Sequence, residues 1–434
     1  GESVHDANFC CDGLVSADRQ PHPLLIEYAA LNEPIVATLD GDRLLLTNRR
    51  WFSDLSDLRF WWELRRDGEV VDGGELDIEP CGPRSSVSVV MPTAARDVAG
   101  DDSESVAEWH LDVVALPRRR PAWAPKGWVA ARSQVEVAPG GRGEREAGRS
   151  GATAPSVLVA DDANVTIDLG VVAGHAAGLS ITAPELCVWR APTDNDGIKS
   201  GWMAGVGARG QWVRDGFDRL RLTDVDVGRR RGEVIRTSTW SMPDERTIIH
   251  RQAISVVAGS VRFAERVDAP KDLGDLPRVG VRFVLPAAFE HLEWFGPGPG
   301  DSYPDRRAGT IGRWSTTVGD TYVDYVVPQE HGHRTDVRWM LLSDGARGRR
   351  RRGVTTLRVA GERTFGFNTS HFSVEDLTAA THAHELVPRD AVHVHIDAAH
   401  RGLGTAACGP DTHPRFLVRG GRHQWVWHLA VAPE

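Results

Sequence analysis

Apolar and polar residues alternate along much of this chain, as in Ser260-Val-Arg-Phe-Ala-Glu-Arg-Val and Val392-His-Val-His-Ile-Asp. Successive side chains of a strand point to opposite faces, so a period of two lets one face be buried while the other stays polar. The pattern recurs from about residue 24 onward and long helical stripes are scarce, so an all-β fold is expected. Phe60-Trp-Trp-Glu-Leu-Arg-Arg, then Asp67-Gly68, then Glu69-Val-Val predict a hairpin. With Ser86-Val-Ser-Val-Val and Trp109-His-Leu-Asp-Val-Val-Ala they fit an immunoglobulin-like sandwich over residues 24–117. Pro117-Arg-Arg-Arg-Pro121 marks a boundary, and the run between Pro139 and Pro155, rich in Gly, Arg, Glu and Ala, reads as an exposed loop. The strands beyond are too many for a small barrel and predict a large β-supersandwich over residues 118–434.

A length of 434 residues predicts more than one core. The net charge of −9 gives nucleic acid and anionic lipid little to hold, and no run approaches the roughly 20 apolar residues that span a bilayer. Neither nucleic acid nor membrane is expected as a partner. Five cysteines, two of them adjacent (Cys10 and Cys11), make a poor disulfide framework, which favours a reducing, cytoplasmic location.

Several motifs have plain structural explanations. Asp194-Asn-Asp-Gly197 has the chemistry of a tight turn. Gly296-Pro-Gly-Pro-Gly-Asp is no phosphate cradle, because Pro297 and Pro299 have no N–H to offer an anion; with Tyr303, Asp305 and Arg306 it reads as a rigid corner where Asp and Arg can pair. His393, His395 and Asp397 share one strand face and could hold zinc, but lack a fourth ligand at motif spacing; a polar strand face is the simpler account. Glu330-His-Gly-His333 is a weak ligand signal of the same kind. The basic run at Arg347 and Arg349 to Arg352 reads as a solvated hairpin tip.

Two stretches narrow the reading further: Leu186-Cys-Val-Trp-Arg-Ala-Pro-Thr-Asp-Asn-Asp-Gly197 and Trp294-Phe-Gly-Pro-Gly-Pro-Gly-Asp-Ser-Tyr-Pro-Asp-Arg306. Both resemble signatures in the C-terminal domain of glycoside hydrolase family 2 β-galactosidases. Phe9-Cys-Cys-Asp-Gly-Leu-Val and Ala17-Asp-Arg-Gln-Pro-His-Pro23 resemble the last piece of that family's catalytic barrel. The resemblance implies a short TIM-barrel remnant over residues 1–23, then the two sandwiches. It implies the C-terminal part of a retaining glycosidase acting on terminal β-D-galactosides. The acid and nucleophile, held roughly 5 Å apart in such enzymes, would be glutamates of an N-terminal part or a companion subunit. No catalytic residue is expected in this chain, which alone would be inactive.

By the same resemblance, Asp194, Asn195, Asp196 and Gly197 form a loop at the active-site mouth, with Gly197 as hinge, and Cys408 stands at the entrance where another member carries a Trp. A buried structural cysteine is the competing reading of Cys408. The Phe9 carbonyl and the Asp12 carboxylate would bind sodium, while magnesium would take most ligands from outside this chain. An oligomer is expected. A rival reading is a free-standing carbohydrate-binding module using Trp61-Trp62 or Trp425 and Trp427 as sugar platforms. An adhesive array of sandwiches would need internal repeats, and none is found.

Overall fold

The computed structural model describes residues 13–16, 18–100, 107–140, 157–160, 164–169, 179–197, 205–345 and 354–432. The fold is all-β, with a few short helices, and it divides into two compact units. Phe9, Asp12, Cys10, Cys11 and the basic run at 347–352 lie outside the described residues, as do the expected loop's residues 141–155.

One unit comprises Pro23–Gly143 with Ala308–Arg313. Its three-stranded sheet runs Ile35–Asp40, Arg43–Asn48, Ser86–Val90, and its four-stranded sheet runs Glu69–Leu76, Leu58–Arg66, Trp109–Pro117, Ala131–Ala138. Period two decides the inside: Leu44 and Leu46 are buried, and they share a core with Phe60, Leu64, Leu111 and Val113. The Asp67-Gly68 hairpin forms as the sequence predicts, with φ of 47° and 81° at the two turn residues. At Gly68 a Cβ would lie 2.9 Å from the Arg313 backbone nitrogen, so glycine is required for space as well as for φ.

Two sequence expectations need correction here. Residues 23–31 form a helix, not a strand: Leu24-Leu-Ile-Glu-Tyr-Ala-Ala-Leu lacks alternation, is rich in helix formers, and has Pro23 as its first residue. The unit also does not stop at residue 117. Ala131–Ala138 pairs antiparallel with Trp109–Pro117, Ala115 facing Ala131, and places Ala131 and Val135 in the same core. The Pro- and Arg-rich stretch is thus a connection between neighbouring strands of one sheet.

The other unit comprises Gly1–His22, Glu144–Arg307 and Trp314–Glu434. A large antiparallel sheet runs in the order Glu185–Cys187, Arg278–Pro286, Ala391–His400, Thr356–Ser370, Gly421–Val431, Ser260–Ala269, Thr247–Val257, Glu233–Ser241, Arg221–Arg230. His291–Gly298 pairs with Arg334–Ser343, which in turn pairs with Thr356–Ser370. Val392, Val394 and Ile396 point into the apolar core, where Trp427 stacks on Phe263 at 4.1 Å and 7°. Trp427 is therefore a core residue and offers no sugar platform. With those three residues turned inward, His395 and Asp397 are left on the opposite face. That face is also buried, and it carries the polar assembly described next.

Candidate functional site

The Arg190-to-Gly197 segment leaves the strand Glu185–Cys187 and is fixed at both ends. Thr193 and Asp196 close the turn: the Asp196 amide donates to the Thr193 carbonyl (2.9 Å), and the Asp196 carboxylate accepts from the Thr193 amide (2.9 Å) and hydroxyl (3.0 Å). Arg190 grips the same carboxylate with Nε at 3.1 Å and again through Nη2, and Arg401 Nη1 reaches it at 3.4 Å. All three side chains are buried. Asp196 is thus an inward anchor, with its acceptors spent on two guanidiniums and the turn, and its carboxylate is not presented to a ligand as the mouth-loop expectation implies. Gly197 has φ of 142°, and a Cβ there would lie 2.5 Å from the Val206 carbonyl oxygen, so glycine is sterically required.

Asn195 reaches across to a second segment. Its Nδ2 donates to the Gly404 carbonyl (3.1 Å) and its Oδ1 accepts from the Ala407 amide (3.1 Å). Arg190 adds bonds to the carbonyls of Arg401 (2.8 Å) and Gly402 (3.3 Å). Cys408 follows directly, as an exposed free thiol, which excludes the buried reading of that cysteine. The turn at 194–197 and the segment leading to Cys408 are therefore neighbours.

The corner at 301–306 joins them. Asp305 does not reserve its carboxylate for an arginine, as the sequence suggests. It accepts from the amides of Leu403 (3.0 Å) and Gly404 (2.8 Å), and a Cβ at Gly402 would collide with it at 2.7 Å. Arg306 lies instead over the Tyr303 ring, 6.0 Å from its centroid.

Beneath these loops the buried Arg278 binds Asp397 (2.8 Å), Glu330 (2.7 Å) and His395 Nδ1 (2.8 Å). Burial opposes its charge, but Asp397 and Glu330 outweigh that and raise its pKa above the ordinary value. Burial likewise pushes the Asp397 carboxyl up to about 7, against the pull of Arg278. Glu330 also accepts from the Ala191 amide at 3.0 Å, and its own amide donates to the Ala191 carbonyl at 3.1 Å. Glu330 is thus the member of Glu330-His-Gly-His333 that ties this cluster to the 190–197 segment. His331 instead accepts from the Val323 amide at 3.1 Å, and burial lowers its pKa to about 4. No sequence signal isolates Arg278 or Arg401, since each looks like an ordinary polar strand or loop residue, whereas Arg190 lies inside the Leu186-to-Gly197 motif and Glu330 opens the Glu330-to-His333 run.

The family described as beta galactosidase small chain matches residues 166–428, a span holding all of these groups. The chain belongs to that family. Residues 44–138 match β-galactosidase domain 4. A β-galactosidase of Arthrobacter sp. (strain B7) is 33% identical over 467 aligned positions, covering 99% of this chain and 44% of the relative. One from Vibrio cholerae serotype O1 is 26% identical, covering 99% of this chain and 42% of the relative. The chain spans less than half the length of these curated relatives. Among solved structures, a galactose mutarotase-like protein from Lactobacillus casei ATCC 334 aligns with 64% of this chain and 99% of its own at 10% identity and a TM-score of 0.32.

Proposed function

We propose that this chain is the C-terminal part of a retaining β-galactosidase that hydrolyses terminal β-D-galactosides. In this reading it walls the substrate pocket, and glutamates of an N-terminal part or companion subunit break the bond between the galactosyl carbon and the leaving oxygen. The observation that carries it is the convergence of the Arg190-to-Gly197 turn, the Asp305 corner and the segment ending at Cys408, which Asn195 and Asp305 tie together from opposite sides. Rigid anchoring of such a rim suits a pocket wall, because a reacting sugar must be held in one geometry.

In this proposal Asp194 and Asn195 border the galactoside and Cys408 faces the leaving group, without the ring face that a tryptophan would supply. Phe9 and Asp12 bind sodium, an ion that takes oxygen ligands, and magnesium acts in the complete enzyme. The assembled enzyme is an oligomer in a reducing, cytoplasmic compartment. The purified chain is expected to show no turnover of a chromogenic β-galactoside and to gain it on mixing with the barrel-bearing portion of the Arthrobacter relative. Turnover by the chain alone would overturn the division of labour. Calorimetric binding of galactosides by the isolated chain would favour the free-standing module instead.

A further inference from the structure

We propose that His333, Asp397 and His400 form a binding site for one divalent transition-metal ion, with zinc the ion their chemistry fits best. One donor atom from each residue lies within 4.8 Å of the other two, and all three residues are buried. The donors are largely unspent. Among the described residues, both ring nitrogens of His333, Nε2 of His400 and Oδ1 of Asp397 have no hydrogen-bond partner, and His333 Nδ1 lies 3.5 Å from Asp397 Oδ2. Buried polar atoms are ordinarily satisfied, so four in one place point to a missing partner.

One tautomer of His400 fits as well. Its Nδ1 lies 2.9 Å from the Arg401 carbonyl and 3.2 Å from Arg190 Nη1; the tautomer that donates to the carbonyl leaves the lone pair on Nε2, and a carbonyl bond of this kind commonly orients a metal-binding imidazole. Burial holds both imidazoles well below their ordinary pKa, hence neutral, the form that binds metal. Two glycines clear the space: a Cβ at Gly280 would lie 2.1 Å from Asp397 Oδ1, and one at Gly366 would lie 2.6 Å from His333 Cε1. A tetrahedral zinc ion with bonds of about 2.0–2.1 Å needs donors roughly 3.3 Å apart; the His333 and His400 rings are stacked, with centroids 4.0 Å apart and 20° between their planes, so one ring must turn for both lone pairs to meet the ion.

Metal-stripped chain dialysed against zinc should retain one ion per chain, counted by mass spectrometry; retention of only a trace would overturn the site. His333→Asn and His400→Asn should each weaken zinc binding by about 100-fold or more, while the exposed His384→Asn should not. Equal binding by all three variants would place the metal on the surface and overturn the proposal. X-ray absorption on the zinc-loaded unsubstituted chain tests it without any variant: two imidazoles with oxygen donors are expected, and a shell with fewer than two imidazoles would refute it.

Discussion

Asp196 carries more of the site's geometry than its place in a four-residue turn suggests. Its carboxylate is the common acceptor for Thr193, Arg190 and Arg401, and no described atom of that set is open to solvent to any useful degree. Removing one member of a buried ion pair leaves the other charges desolvated and uncompensated, a penalty larger than the attraction the pair contributed. Asp196→Asn keeps the shape and removes the charge. It should lower unfolding stability in urea by about 3–5 kcal/mol, and a loss below about 1 kcal/mol would show that the guanidiniums find other partners.

At the scale of elements, what could be read in advance depended on whether a pattern was local. The Asp67-Gly68 hairpin was legible because two adjacent residues set its φ angles. The alternating strands around Phe263 and Val392 to Ile396 were legible because burial follows their period. The helix Pro23–Leu31 is a nine-residue departure inside the span expected to be a sandwich, too short for a helical period to stand out. The place of Ala131–Ala138 was hidden because strand pairing is long-range, and proline-rich connections look like boundaries. In the site, the 194–197 turn and Cys408 were legible through motif resemblance. Arg278 was not, since a buried charge on a strand has the same letter as a solvated one.

Two elements invite measurement. Trp427 fills the sheet core against Phe263 and Phe283, with centroids 4.1 Å and 6.0 Å away, so Trp427→Ala should cost about 3–5 kcal/mol in thermal or urea unfolding. A near-neutral result would mean the core collapses into the space. The helix Val374–Ala379 begins with a capping box in which Ser373 and Asp376 satisfy each other's amides. The bidentate Arg389 guanidinium, at 2.6 Å and 2.7 Å, and the Ser373 bonds hold the Asp376 carboxyl well below the ordinary carboxylate range. A depressed carboxyl stabilises the fold above its unfolded pKa of 3.8, and that contribution drains away as pH falls below this value toward the folded pKa. Asp376→Asn should therefore be less stable than the unsubstituted chain at neutral pH, and the gap should narrow below about pH 4 in acid titrations followed by circular dichroism. A gap independent of pH would assign the effect to the cap's hydrogen bonds alone.

For the molecule as a whole, the rim joins segments that are distant along the chain. Asn195 and Ala407 are 212 residues apart, and Asp305 and Leu403 are 98 apart. Closing such loops costs chain entropy before the contacts return any free energy, so these bonds should form late in folding. Asn195→Ala and Asp305→Ala should then leave the folding rate nearly unchanged and raise the unfolding rate, as expected for contacts absent from the transition state. Both side chains hold the Gly404 backbone, one through its carbonyl and the other through its amide, so their losses should not add. The double variant should show a coupling of about 0.5–3 kcal/mol in a double-mutant cycle. Stopped-flow folding and unfolding in urea read both quantities. A slowed folding limb would mean that the rim is organised early, and strict additivity would mean that the turn and the corner grip the 402–408 segment independently, as two local attachments instead of one shared frame.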